Sequence, residues 1–348
     1  MNGRDRVLAA LRGEPTDRAA VNFELGTLRQ QLRQQGIEDP DVHFGVDLKK
    51  IWFVPSAQQA ARNAARRADS PRVGNDEQLA NYILWGYYPD EIDRRNPLIG
   101  AGCVEDIEAY PFPLVESQDD VSRLRSAVDS HHQRGFAVAG QVPQLGGVVF
   151  ETAYRLRGLD NLLEDFRWRP DFAEALLERI TETACRNVLQ LIACGVDIVV
   201  LGDDIGTPTS MLISPGMWRG WIKPRLARII EAARRADPGI AVAYHSDGFY
   251  RPVIADLIEI GVSILNPVQP DCMDPLEVRR QFGESLTLWG TVGAARLLPF
   301  ATPEEIRREV RLRIETLGRC GRLIVSPAYD LEDDVPLANA VGFLEACR

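Results

Sequence analysis

The chain has 348 residues, 45% hydrophobic and 26% charged, with 40 basic against 50 acidic side chains and a net charge of −10. That balance excludes a disordered chain and a collagen-like repeat, and it argues against a broad electrostatic grip on nucleic acid. The length allows one large barrel with insertions or about two average domains.

In chain order, MNGRDRVLAALRGEPTDR reads as a short charged helix without an apolar run of signal-peptide length. No stretch approaches about eighteen apolar residues, so neither a leader nor a membrane span is expected. AAVNFE (19–24) and KIWFVP (50–55) read as strands. Residues 56–130 are less regular, punctuated by YYPD, RRNPLIG and YPFP, and are expected to cap the barrel mouth or carry an extra hairpin. Six more apolar runs follow: FAVAG (136–140), DIVVLGDD (197–204), IAVAYHSDG (240–248), VSILNPVQP (262–270), LTLWGTVG (286–293) and LIVSPAYD (323–330). Helical text separates most of them. TPEEIRREVRLRIETL has Thr302 as N-cap, Pro303 at the first helical position and Glu305 closing a capping box. Its apolar stripe is Ile306, Val310, Ile314 and Leu317.

Strand–helix alternation argues for parallel strands with helical crossovers. Eight such units predict a single (β/α)8 TIM-type barrel over 1–348, with an irregular excursion after the second strand. No GxGxxG opens the first unit, which argues against a dinucleotide-binding sheet. The six cysteines (Cys103, Cys185, Cys194, Cys272, Cys320, Cys347) form no CxxC pair and read as reduced thiols of a cytoplasmic protein.

In such barrels the active site lies at the C-terminal ends of the strands. Those ends carry Glu24, Gln141, Asp203, Asp204, His245, Asp247, Asn266, Gln269, Thr291, Tyr329 and Asp330. One polar strand end is ordinary; convergence over five or six strands points to a bound polar ligand.

GDDIGTPTSMLISPGMWRGWIKPRL, YHSDGFYRPVIADLIEIGVSILNPVQPDCMDP and LIVSPAYDLEDDVPLANAV resemble the uroporphyrinogen decarboxylase-like family, as do VVFETAYRLRGLDNLLEDF and RVLAALRGEPTDR. The resemblance implies the barrel fold and two chemistries: decarboxylation of a porphyrinogen's acetate arms, or methyl transfer between a corrinoid protein and a small acceptor. Decarboxylases of the family carry an N-terminal arginine motif, where this chain reads ELGTLRQQLRQ with Arg29 and Arg33 as displaced substitutes. Asp47 stands away from the family's Asp position, and Tyr329 replaces a late histidine, while Tyr154 matches the decarboxylase tyrosine. An acidic rim would also repel an octacarboxylate, by roughly 4 kcal/mol per like-charge contact at about 4 Å and an effective dielectric near 20.

Thiol-directed methyltransferases of the family hold zinc through a His-x-Cys pair and a distant Cys. Here His245 survives, Asp247 takes the Cys place, and the distant place falls near Ala328 and Tyr329, with Cys272 on another loop. No metal is therefore expected. What remains resembles the corrinoid:tetrahydrofolate branch. It assigns His245, Asp247 and Tyr154 to catalysis, and Glu24, Asp203, Asp204, Asn266, Gln269 and Tyr329 to substrate binding. The alternatives are a structural His245, a helix-capping Asp204 and a packing Tyr154. No tightly bound cofactor is expected; methylcobalamin on a corrinoid protein and tetrahydrofolate are the expected co-substrates. A homodimer is allowed, and neither nucleic acid nor a membrane is an expected partner. Decarboxylation of a porphyrinogen or smaller acid, and a non-catalytic ligand-binding barrel, stand as alternative functions.

Overall fold

The computed structural model describes residues 1–26, 28–52, 96–110, 112–115, 117–329, 331 and 334–348. Its eight strands are β1 (Ala20–Val21), β2 (Leu48–Ile51), β3 (Ala137–Gln141), β4 (Ile198–Gly202), β5 (Ala241–His245), β6 (Ile264–Asn266), β7 (Thr287–Trp289) and β8 (Leu323–Val325). All pair in parallel in the order β1-β8-β7-β6-β5-β4-β3-β2. A parallel bridge between Asn22 and Leu48 closes the seam between β1 and β2. The result is a (β/α)8 barrel; six of the expected apolar runs contain their strands, while β2 begins two residues before KIWFVP and β3 runs one residue past FAVAG.

Alternate residues of a strand face opposite ways. The inward set packs as one cluster: Ala20, Leu48, Ala137, Ala139, Ile198, Val200, Ala243, Ile264, Trp289 and Ile324. Val7 and Ala10 join it from α1 (Gly3–Arg12), an amphipathic helix capped by the Asn2 side chain, which plugs the N-terminal end of the barrel. The outward residues, such as Val199, Leu201, Val242 and Leu265, belong to the layer between sheet and helices.

The helix Pro303–Leu317 has the expected capping box, and Ile306, Val310 and Leu317 are buried. Most of the expected 56–130 excursion lies outside the described residues. Its last part differs from expectation: Gln118–Gln133 is a helix that packs on β2 and β3 and leads into β3, so it is a barrel crossover. Ser117 caps it by accepting the Asp120 N–H. The text after β4 also departs from a plain α-helix. Trp218–Ile222 is a π-turn, closed by the Lys223 N–H on the Trp218 carbonyl. Pro224 has no N–H to give the Gly220 carbonyl, which explains the wider turn. Among the described residues no helix is long and apolar enough to cross a membrane.

Candidate active site

Continuing the inward parity past the strand ends selects the side chains at the mouth: Glu24 from β1, Gln141 from β3, Asp204 from β4, His245 and Asp247 from β5, Asn266 from β6 and Thr291 from β7. His245 is the centre. Its Nδ1 lies 2.8 Å from Asn266 Oδ1, while Asn266 Nδ2 donates to the Trp289 carbonyl at 3.2 Å. That second bond fixes which end of the amide faces the imidazole. In the neutral ring this places the proton on Nδ1 and leaves the lone pair on Nε2. Nε2 stands 3.7 Å from Asp204 Oδ1, which accepts the Asp247 N–H at 2.8 Å.

Asp247 is oriented in turn. Gln269, 3% exposed, donates Nε2 to Asp247 Oδ1 at 2.7 Å and accepts the Gly248 N–H at 2.6 Å. Gln269 thus positions the carboxylate from behind. Burial pushes the Asp247 carboxyl up to about 6; the nearby His245 opposes this and Asp204 adds to it. Tyr329, half-exposed, is close enough to lower it again through its hydroxyl. Cys272, set apart in the sequence, reaches the same network with Sγ 3.4 Å from Gln269 Oε1.

Asp203 does not take the substrate-binding place expected for it. It has outward parity and is fully buried, and its Oδ1 accepts the Val149 and Glu151 N–H groups at 3.0 Å each. It caps the helix Phe150–Arg157, whose own N-cap residue, Val149, has no side-chain acceptor. Burial pushes its carboxyl up to about 8. Gly147 makes this contact close: a Cβ there would stand 2.4 Å from Asp203 Oδ1 and 2.6 Å from the Gly202 carbonyl.

The helix so anchored delivers a residue that sequence reasoning missed. Glu151 is 3% exposed; its Oε2 accepts the Asp204 N–H at 3.0 Å and its Oε1 accepts the Tyr154 hydroxyl at 2.9 Å. Burial, then the charge of Asp204, raise the Glu151 carboxyl above its ordinary range. The available signal was its i, i+3 spacing to Tyr154, with Glu151 four residues after the Gly146–Gly147 pair. Glu24 turns elsewhere, with its carboxylate 3.3 Å from Asn22 Nδ2 and 3.4 Å from Lys49 Nζ. Asp330 lies outside the described residues.

Asp204, His245 and Asp247 each offer one donor atom within 4.8 Å of the others, so they could hold a divalent ion. The set is one nitrogen and two carboxylates. No cysteine joins it among the described residues, so a thiolate zinc site of the kind the resemblance brings to mind does not fit.

A family model described as uroporphyrinogen decarboxylase (URO-D) matches residues 95–348. The chain belongs to the uroporphyrinogen decarboxylase family. A uroporphyrinogen decarboxylase of Synechococcus is 26% identical over 355 aligned positions, covering 99% of this chain and 92% of that protein. Another, from Christiangramia forsetii, is 27% identical over 241 residues, which are 69% of this chain; the match spans 63% of that protein's length. In structure, a methyltransferase from Methanosarcina mazei superposes with a TM-score of 0.65 at 18% identity, over 100% of this chain and 98% of the other. That likeness establishes a shared fold.

Within this family, arginines near the N-terminus would grip substrate carboxylates, but neither candidate does so here. Arg29 is bound in a bidentate pair to buried Asp41, at 2.8 and 3.0 Å, and Arg33 is exposed with Nε on the Glu38 carbonyl. Arg296 is exposed. Arg155 lies along Glu151 at 3.3 Å. Asp47 precedes β2, at the opposite end of the barrel from His245, where Arg6, Arg18 and the Val21 N–H hold it.

Proposed function

We propose that this protein is a methyltransferase that moves a methyl group between a corrinoid protein and a tetrahydrofolate-like molecule, without zinc–thiolate chemistry. One observation carries the reading: the mouth presents an imidazole nitrogen, His245 Nε2, beside the carboxylates Asp204 and Asp247, and among the described residues neither Arg29 nor Arg33 reaches it. Methylation of a secondary amine forms an N–C bond with the amine lone pair. The electron pair of the broken Co–C bond stays with cobalt, and the N–H proton must leave. His245 Nε2 is placed to take it, and Asp204 to stabilise the imidazolium that results. The name of the Methanosarcina fold relative agrees with this chemistry.

The second reading, decarboxylation of a porphyrinogen or smaller acid, is favoured by the names of the two sequence relatives. One paired assay separates them. The purified protein is incubated with methylcobalamin and tetrahydrofolate, following loss of the methylcobalamin absorbance and appearance of 5-methyltetrahydrofolate. Uroporphyrinogen is assayed in parallel for released carbon dioxide. Methyl transfer that is lost on His245→Ala is expected. Carbon dioxide release without methyl transfer would replace this reading with the second.

A further inference from the structure

Behind the mouth, three fully buried polar atoms have no partner among the described residues: Asp203 Oδ2, the Tyr244 hydroxyl and Trp218 Nε1. They lie together in the layer between sheet and helices. Tyr244 pairs with Leu201, and Asp203 stands two residues beyond Leu201, so both side chains leave the sheet on its outer face. Trp218, the first residue of the π-turn, enters the same core layer from the helical side. Burial raises the Tyr244 hydroxyl well above its ordinary range; the charge of Asp203 adds to this, and the Trp218 N–H opposes it. The indole N–H thus stands close to the hydroxyl without the geometry of a hydrogen bond. Tyr250 is the contrast. It is equally buried, its ring is 6.3 Å from that of Tyr244, and its hydroxyl donates to the Pro267 carbonyl at 2.8 Å.

A buried polar group left bare is costly, and native proteins complete such groups. The chemistry of these three selects what completes them. Trp218 Nε1 only donates, the Tyr244 hydroxyl donates and accepts, and Asp203 Oδ2 accepts, or donates when protonated. A cation would face the indole N–H, and an anion would face the carboxyl oxygen. A water molecule, with two protons and two lone pairs, meets all three.

We propose that Asp203, Tyr244 and Trp218 enclose one internal water, through which Tyr244 is a positioning residue for the candidate active site. Asp203 Oδ1 takes the Val149 and Glu151 N–H groups, so a water that holds Oδ2 fixes the rotation of the same carboxyl. That carboxyl anchors the helix Phe150–Arg157, which presents Glu151 to the Asp204 N–H and to the Tyr154 hydroxyl. The bridge is independent of the substrate that the mouth takes.

The water is sought by NMR on the full chain with isotope-labelled tryptophan, the Trp218 indole N–H being assigned with Trp218→Phe. A cross-peak from that N–H to a long-lived water is expected, and its loss in Tyr244→Phe. A crystal structure should place the water about 2.7–3.2 Å from all three atoms. Amide exchange then tests the positioning. In Tyr244→Phe the Val149 and Glu151 amides should exchange about tenfold faster than in the wild type. Tyr250→Phe removes a neighbouring buried hydroxyl and should leave those two amides at the wild-type rate. A wild type without the water, a Tyr244 hydroxyl bonded directly to Asp203 Oδ2, or equal exchange in the two variants would overturn the proposal. The wild-type measurements decide it alone if Tyr244→Phe does not fold.

Discussion

A carboxyl group sealed behind a helix N-terminus responds to pH differently from one at a barrel mouth, and this chain places the two side by side. Asp203 is fully buried and its carboxyl is pushed up to about 8 by burial, against the opposing pull of the backbone N–H groups it caps. A folded carboxyl with a raised pKa holds its proton more tightly than the unfolded chain does. Its stabilising contribution is therefore complete below the ordinary Asp range and is lost as pH rises to about 8. Asp203→Asn removes that dependence. The melting temperature of the wild type should fall relative to the variant between about pH 4 and 8, with a constant gap above; a gap independent of pH would contradict the assignment. At the mouth, Asp204→Asn keeps an acceptor for the Asp247 N–H but removes the charge. It should weaken tetrahydrofolate binding by about 1.5–3 kcal/mol. His245→Ala should instead lower turnover more than affinity, as steady-state kinetics would show. Sequence reading grouped Asp203 with Asp204 because adjacency in text hides the period-2 alternation. Parity counted back from Ile198 and Val200 separates them.

The loop before the helix Phe150–Arg157 sets the geometry of that whole flank. Gly147 lies against the backbone of β4, and a Cβ there would come within 2.6 Å of Asp203 Cα and the Gly202 carbonyl. Backbone cannot rotate aside as a side chain can. Gly147→Ala should therefore destabilise the protein by about 1–3 kcal/mol and shift Glu151 away from the Asp204 N–H. Denaturant unfolding measures the first effect, and reduced tetrahydrofolate affinity in the still-folded variant measures the second. Unchanged stability would mean that the loop has room it does not show. Elements governed by local chemistry were legible beforehand: the Thr302 capping box is where the text places it, because its bonds span three residues. Glu151 was missed, and Gln269 was expected on the substrate, whereas it is bonded behind Asp247. Glu151 matters through a bond to Asp204 fifty-three positions away and Gln269 through one to Asp247; the local spacing of Glu151 to Tyr154 marks a pair but encodes neither long-range bond. The π-turn at Trp218–Ile222 falls between; Pro224 signals a lost bond but not how the chain absorbs it.

At the scale of the molecule, eight buried parallel strands write themselves as apolar runs, which is why the barrel and the polar ends of its strands could be read from the text. The division of labour between the two ends could not, because Asp47 and Asp204 are equally acidic in sequence. The N-terminal end is a stability device. Asp47 is 1% exposed and ties α1 through Arg6, the β1 entry through Arg18, and the β1–β2 seam through the Val21 N–H. That seam is the thinnest join of the barrel, because β1 has only two residues. Removing one partner of a buried ion pair leaves the other charges stranded, which costs more than the pair itself contributes. Asp47→Ala should lower stability by about 3–5 kcal/mol, and hydrogen exchange should show the Asn22 and Asp47 amides opening before those of β4 and β5. Below its own melting temperature the same variant should bind tetrahydrofolate as tightly as the wild type, since the mouth lies at the far end of the strands. Loss of ligand binding or turnover in folded Asp47→Ala, rather than loss of stability, would give Asp47 the catalytic carboxylate role of the decarboxylase reading.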